Sequence, residues 1–149
     1  MNFYYHMYGN SMGKLEVKVN ENVLFNKSGN QGYFWKKGTV PIRQGNAAIQ
    51  FVATWGSAIW SDIAIDDIEF STGCSPTTVA PGQLTTDFDK DDGMWISQGT
   101  IQWTRQSGST SSSDTGPSGD HTTGNGTYVY LEASGKRVGD QAKFEANTL

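Results

Sequence analysis

The sequence predicts an all-β protein, an antiparallel β-sandwich or jelly roll of about eight short strands. Two observations predict this class. The 149 residues include 18 glycines and many serines and threonines, with few long runs of the residues that favour helices. Several segments also alternate apolar and polar residues with the period of two that is typical of half-buried strands.

The first half of the chain contains most of the predicted strands. The clearest is KLEVKVN, from Lys14 to Asn20, in which apolar and charged residues alternate without a break. Residues 20–22 predict a turn, 23–25 the returning strand, and 26–32 a polar loop. Further strands are predicted in FYYHMY (3–8), YFWKKGTVPI (33–42) and AAIQFVATW (47–55). Pro41 has no N–H to donate, so its strand should lie at a sheet edge or end there.

The stretch SDIAIDDIEF, from Ser61 to Phe70, predicts a strand with a defect. Ile63 and Ile65 have one parity, and Ile68 and Phe70 have the other. Because strand side chains alternate between faces, all four can face one core only if the parity shifts between them. A β-bulge at Asp66-Asp67 would produce that shift.

The composition changes after Cys74. Residues 75–86 contain prolines and threonines but no charge, and they predict a linker. The polar tract 107–126 is compatible with disorder, but it lies between Trp103 and the apolar YVYLEA segment, so a long ordered loop is an equal alternative. Residues 142–145 predict a last strand.

Charge and motifs exclude several functions. The net charge is −4 and there is no basic stripe, so we expect no nucleic-acid partner. No apolar run approaches the length of a membrane span, and the first ten residues lack the features of a signal peptide. His6 and His121 do not pair at zinc-ligand spacing, and no converging catalytic set is evident, so we expect no enzyme. We expect His6, among tyrosines, to be a hydrogen-bonded histidine of the core rather than a metal ligand.

The adjacent aspartates allow two interpretations. Both could be exposed, or could accept hydrogen bonds from a nearby arginine or backbone N–H group. Alternatively, they could help to bind Ca²⁺, which takes six to eight hard oxygen ligands. Asp87, Asp89 and Asp120 are the other candidate ligands, because each is close to a predicted strand end or loop.

Two sets of motifs resemble one family. The segments NFYYHMYGNSMGKLEVKV, GYFWKKGTVPI, IQFVATWG and SDIAIDDIEFSTGC resemble the second half of a MAM domain, the extracellular module of meprins, neuropilins and mu-type receptor tyrosine phosphatases. The segment from TDFDKDDGMW through WTRQSGST and TGPSGDHT to YVYLEASG resembles the first half. Together the two resemblances cover nearly the whole chain.

The two halves stand in the reverse of the family order. The first interpretation is a fragment of a tandem array: residues 1–74 end one MAM domain, 75–86 link, and 87–149 begin the next. The alternative is a single sandwich closed in circularly permuted order, since the first and last strands of a jelly roll often lie near each other.

The resemblance also implies site residues. Cys74 would be half of a disulfide whose partner lies outside the chain, whereas the cysteine alone would also suit an intracellular protein. Thr86 stands where the family has a cysteine. Metal ligands would be Asp67, Asp89 and Asp120, then Asp66 and Asp87, with Ca²⁺ as a structural ion. Asn26 and Asn125 match the N-glycan acceptor pattern.

The function that the resemblance implies is a non-catalytic extracellular interaction or adhesion module. Its partners would be other proteins or like MAM domains, in homophilic or oligomeric contacts, with any membrane attachment supplied by parts of the parent protein outside this chain. The alternative is a carbohydrate-binding jelly roll, which would need two or three exposed coplanar rings. The candidate rings are those of Trp35, Trp55, Trp60, Trp95 and Trp103.

Overall fold

The computed structural model describes residues 1–43, 47–71 and 84–148. It contains ten strands in that part of the chain, two more than the sequence predicts. They are β1 (Asn2–Met7), β2 (Lys14–Val19), β3 (Asn22–Ser28), β4 (Gly32–Thr39), β5 (Ala47–Thr54), β6 (Ile63–Glu69), β7 (Ile96–Gly99), β8 (Trp103–Ser107), β9 (Thr127–Leu131) and β10 (Gln141–Thr148).

The strands form two five-stranded antiparallel sheets. Sheet A has the order β4-β1-β6-β9-β8, and sheet B has the order β3-β2-β5-β10-β7. Each sheet combines strands from both halves of the chain: β6 pairs with β9 in sheet A, and β10 pairs with β5 along its whole length in sheet B. The β-sandwich closed in permuted order is therefore confirmed.

One apolar core fills the space between the sheets. Phe3 of β1 contacts Phe51 of β5, and Trp95 stacks on Phe144 of β10 with ring centroids 5.5 Å apart. Phe51 also contacts Trp95, with ring centroids 5.4 Å apart, and this pair joins the two halves of the chain. The core therefore forms only when the two halves come together. Burial of such rings stabilises the sandwich by roughly 1.5–3 kcal/mol per side chain.

The bulge predicted in β6 is confirmed. Three residues of β1, from Asn2 to Tyr4, oppose four of β6, from Glu69 to Asp66, so β6 carries one extra residue. Asp67 has a φ of 47°, in the left-handed region. Ile63 and Ile65 before the bulge and Ile68 and Phe70 after it all belong to the same core.

Other sequence expectations need correction at their ends. Asn20 and Glu21 both have positive φ, as a two-residue hairpin turn requires, but the returning strand β3 continues to Ser28 through the residues predicted as a loop. Phe25 explains the difference, because its ring packs on Phe3 and Tyr5 and holds the edge strand against the core. β4 is an edge strand that ends before Pro41, as predicted.

The described residues contain no helix of the length and apolar character needed to cross a lipid bilayer.

Candidate functional site

The outer face of sheet A is covered by the polar loop of residues 108–126, which is ordered. A second, smaller cluster of Ala64, Tyr128 and Tyr130, with Trp35 packed against it, lies on this face. The indole of Trp35 donates to the Gly119 carbonyl at 3.1 Å, and the Tyr128 hydroxyl donates to the Gly108 carbonyl at 2.8 Å. The loop is thus fixed to the sheet by hydrogen bonds at several points along its length.

Asp66 lies beneath this loop and is only 1% exposed. Its Oδ2 accepts the N–H of His121 at 2.8 Å, and its Oδ1 accepts the N–H of Asp67 at 2.8 Å. Burial raises the pKa of Asp66 to about 7, although these N–H groups oppose the rise, and the charge of Asp67 adds to it. Asp66 therefore connects the bulge of β6 to the loop above it.

Asp67 and His121 form the half-buried part of the same connection. The Asp67 Oδ2 atom accepts hydrogen bonds from His121 Nδ1 and from the Thr122 hydroxyl, both at 2.6 Å. The imidazole of His121 stacks on the ring of Tyr4 of β1, with centroids 3.4 Å apart. The bulge turns two consecutive carboxylates toward one loop, which a regular strand could not do.

Asp120 and Asp89 converge on Gly126 at the far end of the loop. Asp120 accepts N–H groups from Thr122, Thr123 and Gly126, which outweigh burial and lower its pKa. Asp89 accepts the N–H of Thr127 at 2.7 Å. A Cβ on Gly126 would lie 2.5 Å from Asp89 Oδ1 and 3.0 Å from Asp120 Oδ2, so a larger residue here would displace these carboxylates.

Asp87 is exposed, and its Oδ1 accepts the N–H of Asp89 at 3.1 Å. The structure thus brings Asp66, Asp67 and Asp120 to one loop, with Asp89 at its end and Asp87 two residues away in sequence. Within the described residues, no three His, Cys, Asp or Glu side chains are arranged so that they could already hold a metal ion. The carboxylates are instead hydrogen-bonded to N–H and hydroxyl groups.

The sequence reasoning missed two polar groups on the same face. Asp62 is fully buried; its Oδ1 accepts the Ala133 N–H at 2.9 Å, and its Oδ2 has no hydrogen-bond partner. Burial raises the pKa of Asp62 to about 6. Asp62 has the same parity as Asp66 and precedes the bulge, so strand alternation alone places the two carboxylates on one face and could have identified it.

Glu132, after β9, is the second missed group. It accepts hydrogen bonds from the Ser111 and Tyr130 hydroxyls and from the Ser134 N–H. Burial alone would raise its pKa, but these donors lower it to about 2. Glu132 therefore anchors the serine-rich part of the loop to sheet A.

His6 was expected to be a hydrogen-bonded histidine of the core, and the structure confirms its burial and a hydrogen bond but places it on the other face of sheet A. It is buried, and its Nε2 donates to the Tyr33 carbonyl, but its Nδ1 has no partner. It faces the loop-covered side of sheet A, where its ring contacts Tyr33 and Trp35, whereas Phe3, Tyr5 and Met7 of the same strand belong to the core between the sheets. Burial lowers the pKa of His6 to about 4.

The tryptophans are mostly covered. Trp95 and Trp103 are 3% and 5% exposed. Trp35 and Trp55 are partly buried, and their indole N–H groups donate to the carbonyls of Gly119 and Ala133. Trp60, at 40%, is the one tryptophan of the five in the exposed class.

The remaining predicted positions have mixed outcomes. Cys74 and most of the linker lie outside the described residues, so the disulfide stays a prediction. Asn26 and Asn125 are both exposed, on β3 and in the loop. Thr86 pairs through its backbone with Ile68, and its hydroxyl donates to the Asp91 carbonyl at 3.3 Å. Hydrogen bonds thus hold this segment at the position where the family has a cysteine.

Several of the known proteins to which this chain is similar are named as MAM domain-containing proteins. Human MAM domain-containing protein 2 is 37% identical over 91 residues, which cover 58% of this chain and 13% of that protein. Thyroid hormone-induced protein B of Xenopus laevis is 31% identical over 125 residues, which cover 77% of this chain and 18% of that protein. The chicken MAM domain-containing glycosylphosphatidylinositol anchor protein 1 is 36% identical over 84 residues, which cover 51% of this chain and 9% of that protein. The chain spans less than a fifth of the length of each of these relatives.

The search of solved structures finds no match. The profile of the MAM domain family, meprin/A5/mu, matches residues 1–75 and 86–149, which is nearly the whole chain and includes both strand sets of the sandwich. This chain is a member of the MAM domain family.

Proposed function

We propose that the chain is a non-catalytic extracellular interaction module of a cell-surface or secreted protein, and that it binds other proteins or like domains. The family match over both segments carries the proposal. The names of its relatives support it, since they include a glycosylphosphatidylinositol anchor protein and zebrafish neuropilin-1a. The buried carboxylates also support it, because Asp66 and Asp120 accept hydrogen bonds from the loop that covers them, as groups with a structural role do.

Tryptophan burial favours a protein partner over a carbohydrate. A sugar-binding platform needs exposed, coplanar rings, and Trp60 alone of the five tryptophans is exposed. Exposed apolar side chains on the edge strands, such as Phe34 at 78%, instead suit a protein contact.

This function is tested by measuring whether beads that carry many copies of the chain bind to cells. Beads coated with the purified chain are incubated with intact cells, then with cells pretreated with protease or with glycosidases. We expect binding that protease treatment abolishes and that glycosidases leave unchanged. Binding that is lost with glycosidases or in excess free sugar would favour the carbohydrate-binding alternative, and absence of binding to any cell type would contradict the proposal.

We also propose a structural Ca²⁺ site at the loop-covered face, formed by Asp67, Asp89 and Asp120, with Asp66 and Asp87 as further ligands. Carboxylate oxygens are the hard ligands that suit Ca²⁺, and the Asp66 oxygens and Asp89 Oδ1 each accept one hydrogen bond, which leaves a second lone pair for a cation. Asp67 Oδ2 and both oxygens of Asp120 already accept two, so they would exchange hydrogen bonds for the metal. The charges also fit, since several carboxylates meet here beside the single imidazole of His121. Bound Ca²⁺ would neutralise their mutual repulsion.

Thermal unfolding followed by tryptophan fluorescence tests the metal site. We expect the transition temperature of the chain to rise with Ca²⁺ relative to EDTA, because a ligand that binds the folded state stabilises it. Asp67→Asn should abolish the shift, and Asp114→Asn, at an exposed position of the same loop, should retain it. A cooperative transition that is indifferent to Ca²⁺ would overturn the metal proposal and leave the fold intact.

Glycan attachment at Asn26 and Asn125 belongs to the same proposal, since both side chains are exposed. Secretion from eukaryotic cells should give a chain whose mass falls on treatment with an N-glycosidase. Asn26→Gln and Asn125→Gln should each reduce the loss of mass on N-glycosidase treatment by the mass of one glycan. An unmodified secreted chain would contradict the assignment.

A further inference from the structure

Charge is distributed unevenly along this chain. Residues 22–43 contain Lys27, Lys36, Lys37 and Arg43 and no acidic residue, a net charge of +4. The rest of the chain holds the other seven basic and all fifteen acidic residues, a net charge of −8. Glu21, in the turn before β3, is the nearest acid in sequence.

The fold turns this stretch of sequence into one side of the sandwich. Residues 22–43 form β3 and β4, which are the edge strands of sheets B and A. The two edges lie on the same side, because Phe25 of β3 packs on Phe3 and Tyr5 of β1, the neighbour of β4. We call the surface of residues 22–43 the basic side.

The cations of the basic side have no acidic partner in the part of the chain that is described. The ion pairs found among the described residues involve Lys14, Arg105 and His121, all of which lie outside residues 22–43. Lys36 and Lys37 are exposed, and Lys27 lies 5.9 Å from the centre of the Phe25 ring. These charges are therefore available to a partner.

The basic side also exposes large apolar side chains. Tyr33 and Phe34 on β4 are 48% and 78% exposed, and Val23 and Leu24 on β3 are 46% and 45% exposed. Aromatic and aliphatic groups next to uncompensated charges are typical of a protein-binding surface, in which apolar contact supplies affinity and charge supplies orientation.

A complementary surface is present on the same molecule. Residues 87–92, DFDKDD, contain four aspartates and one lysine. This acidic segment starts beside β6, where Thr86 pairs with Ile68, and reaches β8, where Arg105 contacts Asp92 at 3.7 Å. Two exposed apolar residues, Met94 and Ile96, follow it at 39% and 61%.

The two surfaces cannot meet within one molecule. β1 and β6 separate β4 from the start of the acidic segment, and β9 adds to the distance from its end. At about 4.8 Å per strand, the gap is roughly 15 Å or more, beyond the reach of a lysine side chain. A second copy of the chain can bring them together.

We propose that copies of this module associate head to tail, with the basic side of one copy against the acidic segment and Ile96 of the next. The inference rests on the proposed function as a protein-interaction module and specifies its partner as a second copy. Because the two surfaces differ, the contact is heterologous, so it generates a row or a ring of modules rather than a closed twofold dimer.

Charge reversal on each surface tests the proposal. Sedimentation velocity at increasing protein concentration should show self-association of the chain that weakens as salt is raised. Lys36→Glu with Lys37→Glu should reduce it by about tenfold or more, because like charges would then face each other. Asp87→Lys with Asp91→Lys should do the same. The control, Lys136→Glu with Arg137→Glu in the turn before β10, changes the net charge equally and should leave association intact.

Mixing the two reversed variants is the decisive experiment. Each alone should stay monomeric, and the equimolar mixture should associate again, because the acidic segment of one meets the unchanged basic side of the other. Either of two results would overturn the proposal: no self-association of the unmodified chain at any salt, or a mixture that stays monomeric. Retention of the chain on a heparin column without self-association would instead assign the basic side to a polyanion.

The outcome separates this proposal from the function itself. Protease-sensitive binding of coated beads to cells, with no self-association in solution, would retain the interaction module and reject the head-to-tail contact. Self-association without any binding to cells would retain the contact and reject a partner on other cells.

Discussion

Asp62 shows how one buried carboxylate makes stability depend on pH. The folded state raises its pKa to about 6, so between about pH 4 and pH 6 the folded chain binds the proton that the unfolded chain has lost. The contribution of this group to stability is therefore highest below pH 4 and is lost as the pH rises through 6.

We expect Asp62→Asn to remove this loss. The Asn carbonyl can still accept the Ala133 N–H, while its NH₂ group replaces an oxygen that has no partner, so the variant carries a cost that does not depend on pH. Relative to the unmodified chain, its free energy of unfolding should rise by on the order of 2 kcal/mol between pH 4 and pH 6.5. Urea unfolding at both pH values measures this difference, and equal differences at the two would contradict the assignment.

His6 gives the opposite dependence. Burial lowers its pKa from 6.5 to about 4, so its contribution to stability is complete above pH 6.5 and is lost as the pH falls through 4. His6→Gln keeps a side-chain N–H for the Tyr33 carbonyl but does not titrate. We expect the variant to lose less stability than the unmodified chain between pH 6.5 and pH 4 in the same urea experiment. A steeper loss in the variant would show that His6 is protonated in the fold.

At the scale of the element, the bulge of β6 was predictable because the apolar residues before Asp66 and those after Asp67 have opposite parity within ten residues. The sequence predicts that four apolar residues, Ile63, Ile65, Ile68 and Phe70, need one core, and the structure confirms it. What the carboxylates contact was not predictable, because the hydrogen-bond donors come from His121 and Thr122, more than fifty residues later. Local pattern determines a strand and its defect, but a site between distant segments depends on the closed fold.

The left-handed conformation of Asp67 gives a test of the bulge itself. Val at a φ of 47° brings its branched Cβ into steric conflict, whereas Gly adopts this conformation freely. Both substitutions remove the contacts to His121 and Thr122, so their difference reports the backbone alone. We expect Asp67→Val to be less stable than Asp67→Gly by on the order of 1–2 kcal/mol in urea unfolding. Equal stabilities would mean that the bulge relaxes.

The β4 edge is protected against pairing with other chains. The Met1 nitrogen donates to the Val40 carbonyl, and the Val40 N–H donates to the Met1 carbonyl, both at 2.9 Å. Because such doubly bonded pairs recur every second residue, the backbone groups of Lys37 and Thr39 face away from β1. A charge at Lys37 and the missing N–H of Pro41, the next outward position, discourage strand addition along this edge.

We expect apolar substitution to remove this protection. Lys36→Val with Lys37→Val should make the chain aggregate at concentrations where the unmodified chain stays clear in static light scattering, because a flat apolar edge pairs with other edges. The control is Lys14→Val with Lys18→Val on β2, which already pairs with strands on both sides and should not aggregate. Equal scattering of both variants would point to surface hydrophobicity rather than the open edge.

At the scale of the whole molecule, both sheets depend on pairing between the two halves. β10 pairs with β5 over eight residues, from Gln141 opposite Thr54 to Thr148 opposite Ala47, and β9 pairs with β6. The family resemblance predicted the strands of each half. The resemblance could not decide between two separate half-domains of a tandem array and one permuted sandwich. That choice depends on whether β5 pairs with β10, and no local sequence pattern predicts this contact. The assignment of the halves to two successive repeats stays a prediction.

Cleavage of the linker tests this dependence. A protease site inserted between residues 76 and 80 allows the folded chain to be cut into two fragments. We expect the fragments to co-elute as one species of unchanged size under native conditions, because the core contact of Trp95 with Phe51 and the β5–β10 ladder cross the cut. They should separate in urea, and each alone should lack cooperative unfolding, since each would expose an apolar sheet face. Separation in native buffer would mean that the linker, rather than the shared sheets, holds the halves together.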